Sequence, residues 1–183
     1  MTVCRRERGT ITLAIDEQSE TPASVTNLTT LLASGFGVGL SPVAPGTVGS
    51  LLGIACFYPL IGVGSAIQWS TFFVACVVAI VSAERAGKAW GVMDHPAIVI
   101  DEVVGVWLAV LLPLSILTFS VSLPLLAVGA FLAFRLYDIV KPWPVNVLER
   151  RLPGGWGVVF DDLAAGAMAG MILTLALLVI GPA

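Results

Sequence analysis

Polar and apolar positions separate on a long scale in this chain. No charged residue occurs from position 21 to 83, from 103 to 134, or from 163 to 183. A bilayer-spanning helix takes about 20 mainly apolar residues, with a range of roughly 17–25. The first stretch therefore holds two such helices, near 47–64 and 67–84, with Gly62 and Gly64 in the turn between them. The second holds two, near 100–118 and 121–138, whose ends reach into the charged flanks, and the third holds one, near 162–180. Pro59, Pro113 and Pro124 are expected to kink these helices or mark their ends. The pattern predicts an all-α, polytopic membrane helical bundle of about four to five spans. Five is the preferred count, and four with one re-entrant segment is the competitor. Residues 1–25 read as a polar, poorly ordered tail, because Arg5, Arg6 and Arg8 are followed by Asp16, Glu17 and Glu20 where a signal peptide would be apolar. Residues 26–183 read as a single helical membrane domain.

Composition strengthens the membrane reading. Of 183 residues, 57% are hydrophobic and 11% charged, and the mean hydropathy is +0.98. Soluble domains average about 45–50% apolar and about 25% charged. With a net charge of −3 and no basic run, nucleic acid is excluded as a partner. The cysteines, Cys4, Cys56 and Cys76, match no metal-ligand spacing, and Cys56 and Cys76 read as packing residues within apolar runs.

Charge then orients the bundle. In a five-span arrangement the tail, the 84–101 loop and the 138–162 loop share one side, and all nine Lys and Arg lie there or at bordering helix ends. The turns near 65 and 120 contain none, so the basic side is expected to be cytoplasmic. Acidic groups gather on that same side. Asp94, His95, Asp101 and Glu102 enter the third span, Asp138 and Lys141 leave the fourth, and Asp161 and Asp162 enter the fifth. Glu84, Arg85 and Lys88 read instead as solvated charges, Glu84 and Lys88 having ordinary i,i+4 spacing.

Carboxylates that converge beside Lys and Arg repel one another unless a cation sits among them. Oxygen ligands of this kind suit Mg²⁺, which is commonly held by carboxylates together with phosphate oxygens of a substrate. A single histidine with no cysteine nearby argues against zinc. Lys141 and Arg135 suit an anionic phosphate. Metal-assisted phosphoryl chemistry at a membrane surface follows from the residues alone. Mechanisms needing two histidines, a Cys-x5-Arg loop, an Asp-x-Asp nucleophile or a G-x-x-x-x-G-K-[ST] loop have no residues to carry them. Gly35-Phe36-Gly37-Val38-Gly39 is a weak glycine-rich-loop signal that follows no strand, with a flexible lead-in to a helix as the equal alternative. The segment 39–50, with Pro42, Pro45 and Gly46, forces a rigid turn in which Thr47 is expected to cap the first span and leave backbone N–H groups facing an anion. Gly166 and Gly170 form a Gly-x-x-x-Gly helix-packing face.

Three blocks, GLSPVAPGTVGS (39–50), DHPAIVIDEVVG (94–105) and FRLYDIVKPWPVNVLERRLPGGWGVVFDDLAAG (134–166), carry a resemblance to the bacterial phosphatidylglycerophosphatase A family. The resemblance spans about residues 35 to 170. It implies a multihelical inner-membrane enzyme, with its active site on the cytoplasmic side, that uses Mg²⁺ to remove the terminal phosphate of phosphatidylglycerophosphate and so make phosphatidylglycerol. On that reading Asp101, Glu102, Asp138, Asp161 and Asp162 are the Mg²⁺ and water-positioning set, with Asp94 as a further catalytic candidate. Lys141 and Arg135 neutralise the phosphate, and Ser41 and Thr47 line the site. Direct attack by water and a phospho-aspartyl route both stay open, as does association into homo-oligomers. The rivals are a proton- or ion-coupled transporter, which would place carboxylates near the bilayer midplane, and a non-catalytic membrane subunit.

Overall fold

The computed structural model describes residues 23–119, 121–143, 145 and 152–180. The described residues are helical with no strand. A short helix, α1 (Leu28–Ala33), precedes five longer ones: α2 (Pro45–Phe57), α3 (Ser65–Trp90), α4 (Ile100–Ile116), α5 (Leu123–Val140) and α6 (Gly154–Ile180). These stand where five spans were expected. By length and composition α3, α5 and α6 are long and apolar enough to cross a membrane; α4 has 17 residues and α2 has 13. Most of the tail read at residues 1–25, together with Cys4, lies outside the described residues.

Local chemistry sets most of the helix ends. Asn27 starts α1 by accepting the Thr30 N–H at 3.0 Å, and Thr30 Oγ1 accepts the Asn27 N–H at 3.1 Å, a reciprocal cap. Pro59 falls in a 3₁₀ turn (Tyr58–Leu60) that closes α2, and Pro124 lies in the first turn of α5. Pro113 is accommodated inside α4 three residues before its end. Gly62, at φ +87°, turns the chain between α2 and α3.

The bundle is organised around α4, which packs on α2, α3, α5 and α6. Outward faces stay apolar, with Val74, Val77, Leu132, Leu136 and Leu178 exposed, as expected where the surroundings are hydrocarbon rather than water. Among the described helices, α4 and α6 pack on each other most extensively. A Cβ on Gly166 would collide with the Gly105 carbonyl oxygen, and one on Gly170 would lie 3.0 Å from Leu112 Cβ. The Gly-x-x-x-Gly face is thus a packing face, as read from the sequence.

Four boundaries and placements differ from the sequence reading. Helix α3 continues to Trp90, so Glu84, Arg85 and Lys88 lie on a helix rather than in a loop. Helix α6 begins at Gly154, which puts Asp161 and Asp162 about 10 Å inside it. The Gly35–Gly39 segment is a packed turn, with Phe36 at φ +60°, pinned where the Val99 N–H donates to the Ala33 carbonyl at 2.9 Å. Cys76 is buried as expected, whereas Cys56 is exposed on the outer face of α2.

Candidate active site

The close approach of α4 and α6 brings two acidic pairs together. Asp101 and Glu102 occupy the first turn of α4. Asp162 sits opposite them on α6, and its carbonyl oxygen lies 2.9 Å from where a Cβ on Gly105 would be. Asp101, Glu102 and Asp162 each offer a carboxylate oxygen, and these oxygens lie within 4.8 Å of one another. Asp101 and Asp162 are 7% and 4% exposed. Asp101 Oδ1, Glu102 Oε2 and Asp162 Oδ2 are buried without a hydrogen-bond partner. Buried acceptors are normally satisfied, and three carboxylates this close cannot all stay ionised unless positive charge is supplied. The hard oxygen donors fit a divalent cation such as Mg²⁺.

Two further carboxylates flank this trio, each holding a cation. Asp138 Oδ2 accepts from Arg135 Nη1 at 2.6 Å on α5, and its carboxylate faces Glu102 and Asp162 closely enough for mutual repulsion. Asp161 Oδ2 accepts from Lys141 Nζ at 2.8 Å, while its Oδ1 accepts the Asp162 N–H at 3.0 Å. Five carboxylates read from the sequence therefore converge but divide into two kinds, three with orphaned oxygens and two in ion pairs. Asp94 lies in the turn before α4, within electrostatic reach of Asp101. With Asp161 it lines a cavity of about 180 Å³. Because α4 starts only at Ile100, helical spacing does not put Asp94 on one face with Asp101.

The third wall is the start of α2. A Cβ on Gly46 would collide with Glu102 Oε1 and lie 3.1 Å from Arg135 Nη1, so the absence of a side chain lets α2 approach both groups. Ala44, not Thr47, occupies the N-cap position, at φ 46°, and gives no side-chain cap. Thr47 lies in the first helical turn beside Gly46, with the N–H groups of that turn at the helix end. Ser41 turns its hydroxyl to the Val43 carbonyl at 3.0 Å and lines a separate cavity with His95; among the described residues no hydrogen bond joins it to the carboxylates. At the other end of the site Lys141 terminates α5 at φ 44° before Pro142. Left-handed conformations at non-glycine residues cost on the order of 1–3 kcal/mol and collect at functional sites. Ala44 and Lys141 both border this one.

Two contributions were not legible as functional in the sequence. Gly46 acts by lacking a side chain, which no charge or spacing signals. Glu84, read as a solvated charge, accepts the Gly155 N–H at 2.6 Å while pairing with Lys88 at 2.5 Å. It thereby ties α3 to the first turn of α6, the helix that carries Asp161 and Asp162.

A family model described as Phosphatidylglycerophosphatase A matches residues 31–177. The chain is 35% identical over 144 residues to "Phosphatidylglycerophosphatase A" of Escherichia coli (strain K12), covering 78% of this chain and 80% of that protein. It is 36% identical over 161 residues to a Bacteroides thetaiotaomicron protein named "Putative phosphatidylinositol-3-phosphatase", covering 84% and 96%. To "Phosphatidylglycerophosphatase A" of Haemophilus influenzae it is 35% identical over 155 residues, covering 82% and 89%. No solved structure matches. The matched segment contains every residue of the carboxylate site, and the chain belongs to the phosphatidylglycerophosphatase A family, phosphatases that act on a phosphate monoester.

Proposed function

We propose that this protein hydrolyses phosphatidylglycerophosphate to phosphatidylglycerol and phosphate in phospholipid synthesis, using Mg²⁺, at the cytoplasmic leaflet of a bacterial inner membrane. The observation that carries the reading is the trio of orphaned carboxylate oxygens set between two basic side chains. Asp101, Glu102 and Asp162 would hold the cation, which when bound supplies a Lewis acid that polarises the phosphoryl oxygens. Arg135 and Lys141 bind the phosphate, Arg135 being suited to two oxygens at once. Asp138 and Asp161 keep these two cations aimed inward. The N–H groups of Gly46 and Thr47 donate to the phosphate where the α2 dipole favours negative charge. In hydrolysis a water oxygen forms a bond to phosphorus as the bond from phosphorus to the glycerol oxygen breaks, and that oxygen takes up a proton. In the covalent variant an aspartate oxygen attacks first and water then releases the phosphate. Single turnover in ¹⁸O-labelled water separates the two routes.

The name of the Bacteroides relative favours a second substrate, phosphatidylinositol 3-phosphate. Phosphate release by the purified protein in nanodiscs decides between them, with both lipids and phosphatidic acid compared. The expected result is preferential turnover of phosphatidylglycerophosphate, abolished by EDTA and restored by Mg²⁺. Preference for the inositol lipid would replace the substrate assignment. Undiminished turnover in EDTA would overturn the cation assignment alone.

A further inference from the structure

Beside the carboxylate site, α3 and α6 enclose a groove on the outer surface of the bundle. It holds a cavity of about 670 Å³ lined by Ile80, Val81 and Arg85 on one side and by Met93, Gly154 and Trp156 on the other. The Glu84 carboxylate accepts the Gly155 N–H, so this part of α3 stands level with the first turn of α6, at the end of the bundle that carries the carboxylates. Asp161 lies about 10 Å further along α6. A smaller cavity of about 180 Å³ covers that interval. It shares Met93 and Gly154 with the groove and is also lined by Asp94, Gly157 and Asp161.

Arg85 is the unclaimed charge of the groove. Its neighbour Glu84 is taken by Lys88 and by the Gly155 N–H, and among the described residues Arg85 forms no ion pair. Side chains lean toward the N-terminus of their helix, which in α3 is the direction of Val81 and of the level of Asp161. Below Arg85, Val81, Val78, Val77 and Val74 are exposed, and their spacing of three and four makes them one apolar stripe. From Arg85 to Val74 the stripe runs about 16 Å, which matches one leaflet's share, about 15 Å, of the hydrocarbon core. Trp156, half exposed at the rim, is a residue type suited to headgroup depth.

We propose that this groove seats the lipid substrate, with Arg85 binding its phosphodiester and the α3 stripe carrying one acyl chain, an assignment that rests on the lipid phosphatase reading above. Phosphatidylglycerophosphate carries its two phosphates one glycerol apart. Read from the tail inward, it presents an apolar chain, a diester anion, a hydroxyl and the terminal phosphate. The groove and the smaller cavity offer partners in the same order: the valine stripe, the Arg85 cation, the Asp94 carboxylate as acceptor for the hydroxyl, and Lys141 beside Asp161. The lipid enters sideways between α3 and α6 without leaving its leaflet. Arg85 touches no reacting atom and acts by positioning.

Steady-state kinetics of Arg85→Gln and Arg85→Lys on phosphatidylglycerophosphate in nanodiscs test this. Arg85→Gln should raise KM by about tenfold, the scale of one charge-assisted hydrogen bond. Its kcat should change by less than about twofold, because the terminal phosphate keeps its own partners. Arg85→Lys keeps the charge and should bring KM back to within about threefold of the parent. An unchanged KM in Arg85→Gln, or a loss of kcat as large as the rise in KM, would overturn the assignment. A second measurement does not need turnover: flash photolabelling, immediately after mixing, by phosphatidylglycerophosphate with a diazirine midway along one chain. Labelled peptides from 74–81 and from the start of α6, lost in Arg85→Gln and in excess unlabelled lipid, support the groove. Equal labelling by phosphatidylglycerol with the same diazirine would reveal a surface for any anionic lipid and overturn it. Selective labelling of a protein that releases phosphate from none of the lipids would refute the enzymatic reading and leave the groove standing. Turnover without selective labelling would do the reverse.

Discussion

Asp161 and Asp162 are adjacent in sequence, equally buried and identical in chemistry, yet they face different partners. Asp162 presents an orphaned oxygen to Asp101 and Glu102, whereas Asp161 holds Lys141. Their asparagine variants should therefore fail differently. Asp162→Asn removes a charge from the trio proposed to hold the cation and should lower kcat on the order of 10²-fold or more, the scale of losing one preorganised electrostatic contact. Asp161→Asn loosens Lys141 and should raise KM for the phosphomonoester more than it lowers kcat. Steady-state kinetics on membrane-inserted variants separates them, and indistinguishable effects would contradict the division of roles. Adjacency shows that two acids are near each other; only their positions around the helix decide which one meets which neighbour.

At the scale of elements, the site depends on how closely α4 and α6 approach. Gly166 against the Gly105 carbonyl sets that distance, and the carboxylates follow from it because they ride one turn or so along the same two helices. Gly166→Leu should push the helices apart and destabilise the protein by about 1–3 kcal/mol, the usual range for overpacking. On the proposed reading Mg²⁺ should raise the thermal stability of the parent by binding the folded state, and Gly166→Leu should abolish that gain. Met171→Leu, on the exposed face of the same helix, should retain both. Thermal melts with and without Mg²⁺ check this, and a Gly166→Leu protein that Mg²⁺ still stabilises would separate cation binding from the crossing. The Glu84 contact to Gly155 belongs to the same scale. It fixes where α6 begins, and hence how far Asp161 and Asp162 sit inside it.

For the whole molecule, helix order places the ends of the bundle. The chain leaves the carboxylate end along α2, returns along α3, leaves along α4, returns along α5 and leaves again along α6. The turn at Ile61–Gly64 and the site must then lie at opposite ends of the bundle. With all nine basic residues excluded from the far turns, the site end should be cytoplasmic. In a background lacking Cys4, Cys56 and Cys76, a cysteine replacing Val63 should react with a membrane-impermeant thiol reagent in intact cells. One replacing Leu152 should react only after the cytoplasm is opened. The reverse pattern would put the site on the leaflet opposite to the one proposed for its substrate.

What the sequence determined by itself is what depends on local or summed properties. The five apolar helices follow from long charge-free stretches, their turns from Pro59, Gly62 and Pro124, and the list of acidic candidates from charges that hydrocarbon would exclude. Matching blocks from 39 to 166 were enough to indicate the family. Exact helix ends were less legible, because α3 and α6 extend past their apolar stretches where partners satisfy the polar groups, as Glu84 does for Gly155. Tertiary structure alone decided which carboxylates cluster with unpartnered oxygens and which pair with a basic side chain. That depends on rotation about each helix axis and on the α4–α6 distance, set by glycines whose contribution is the absence of a side chain. It also decided that Arg85 lines a groove between α3 and α6 beside the site, since the register between helices distant in sequence is fixed by packing.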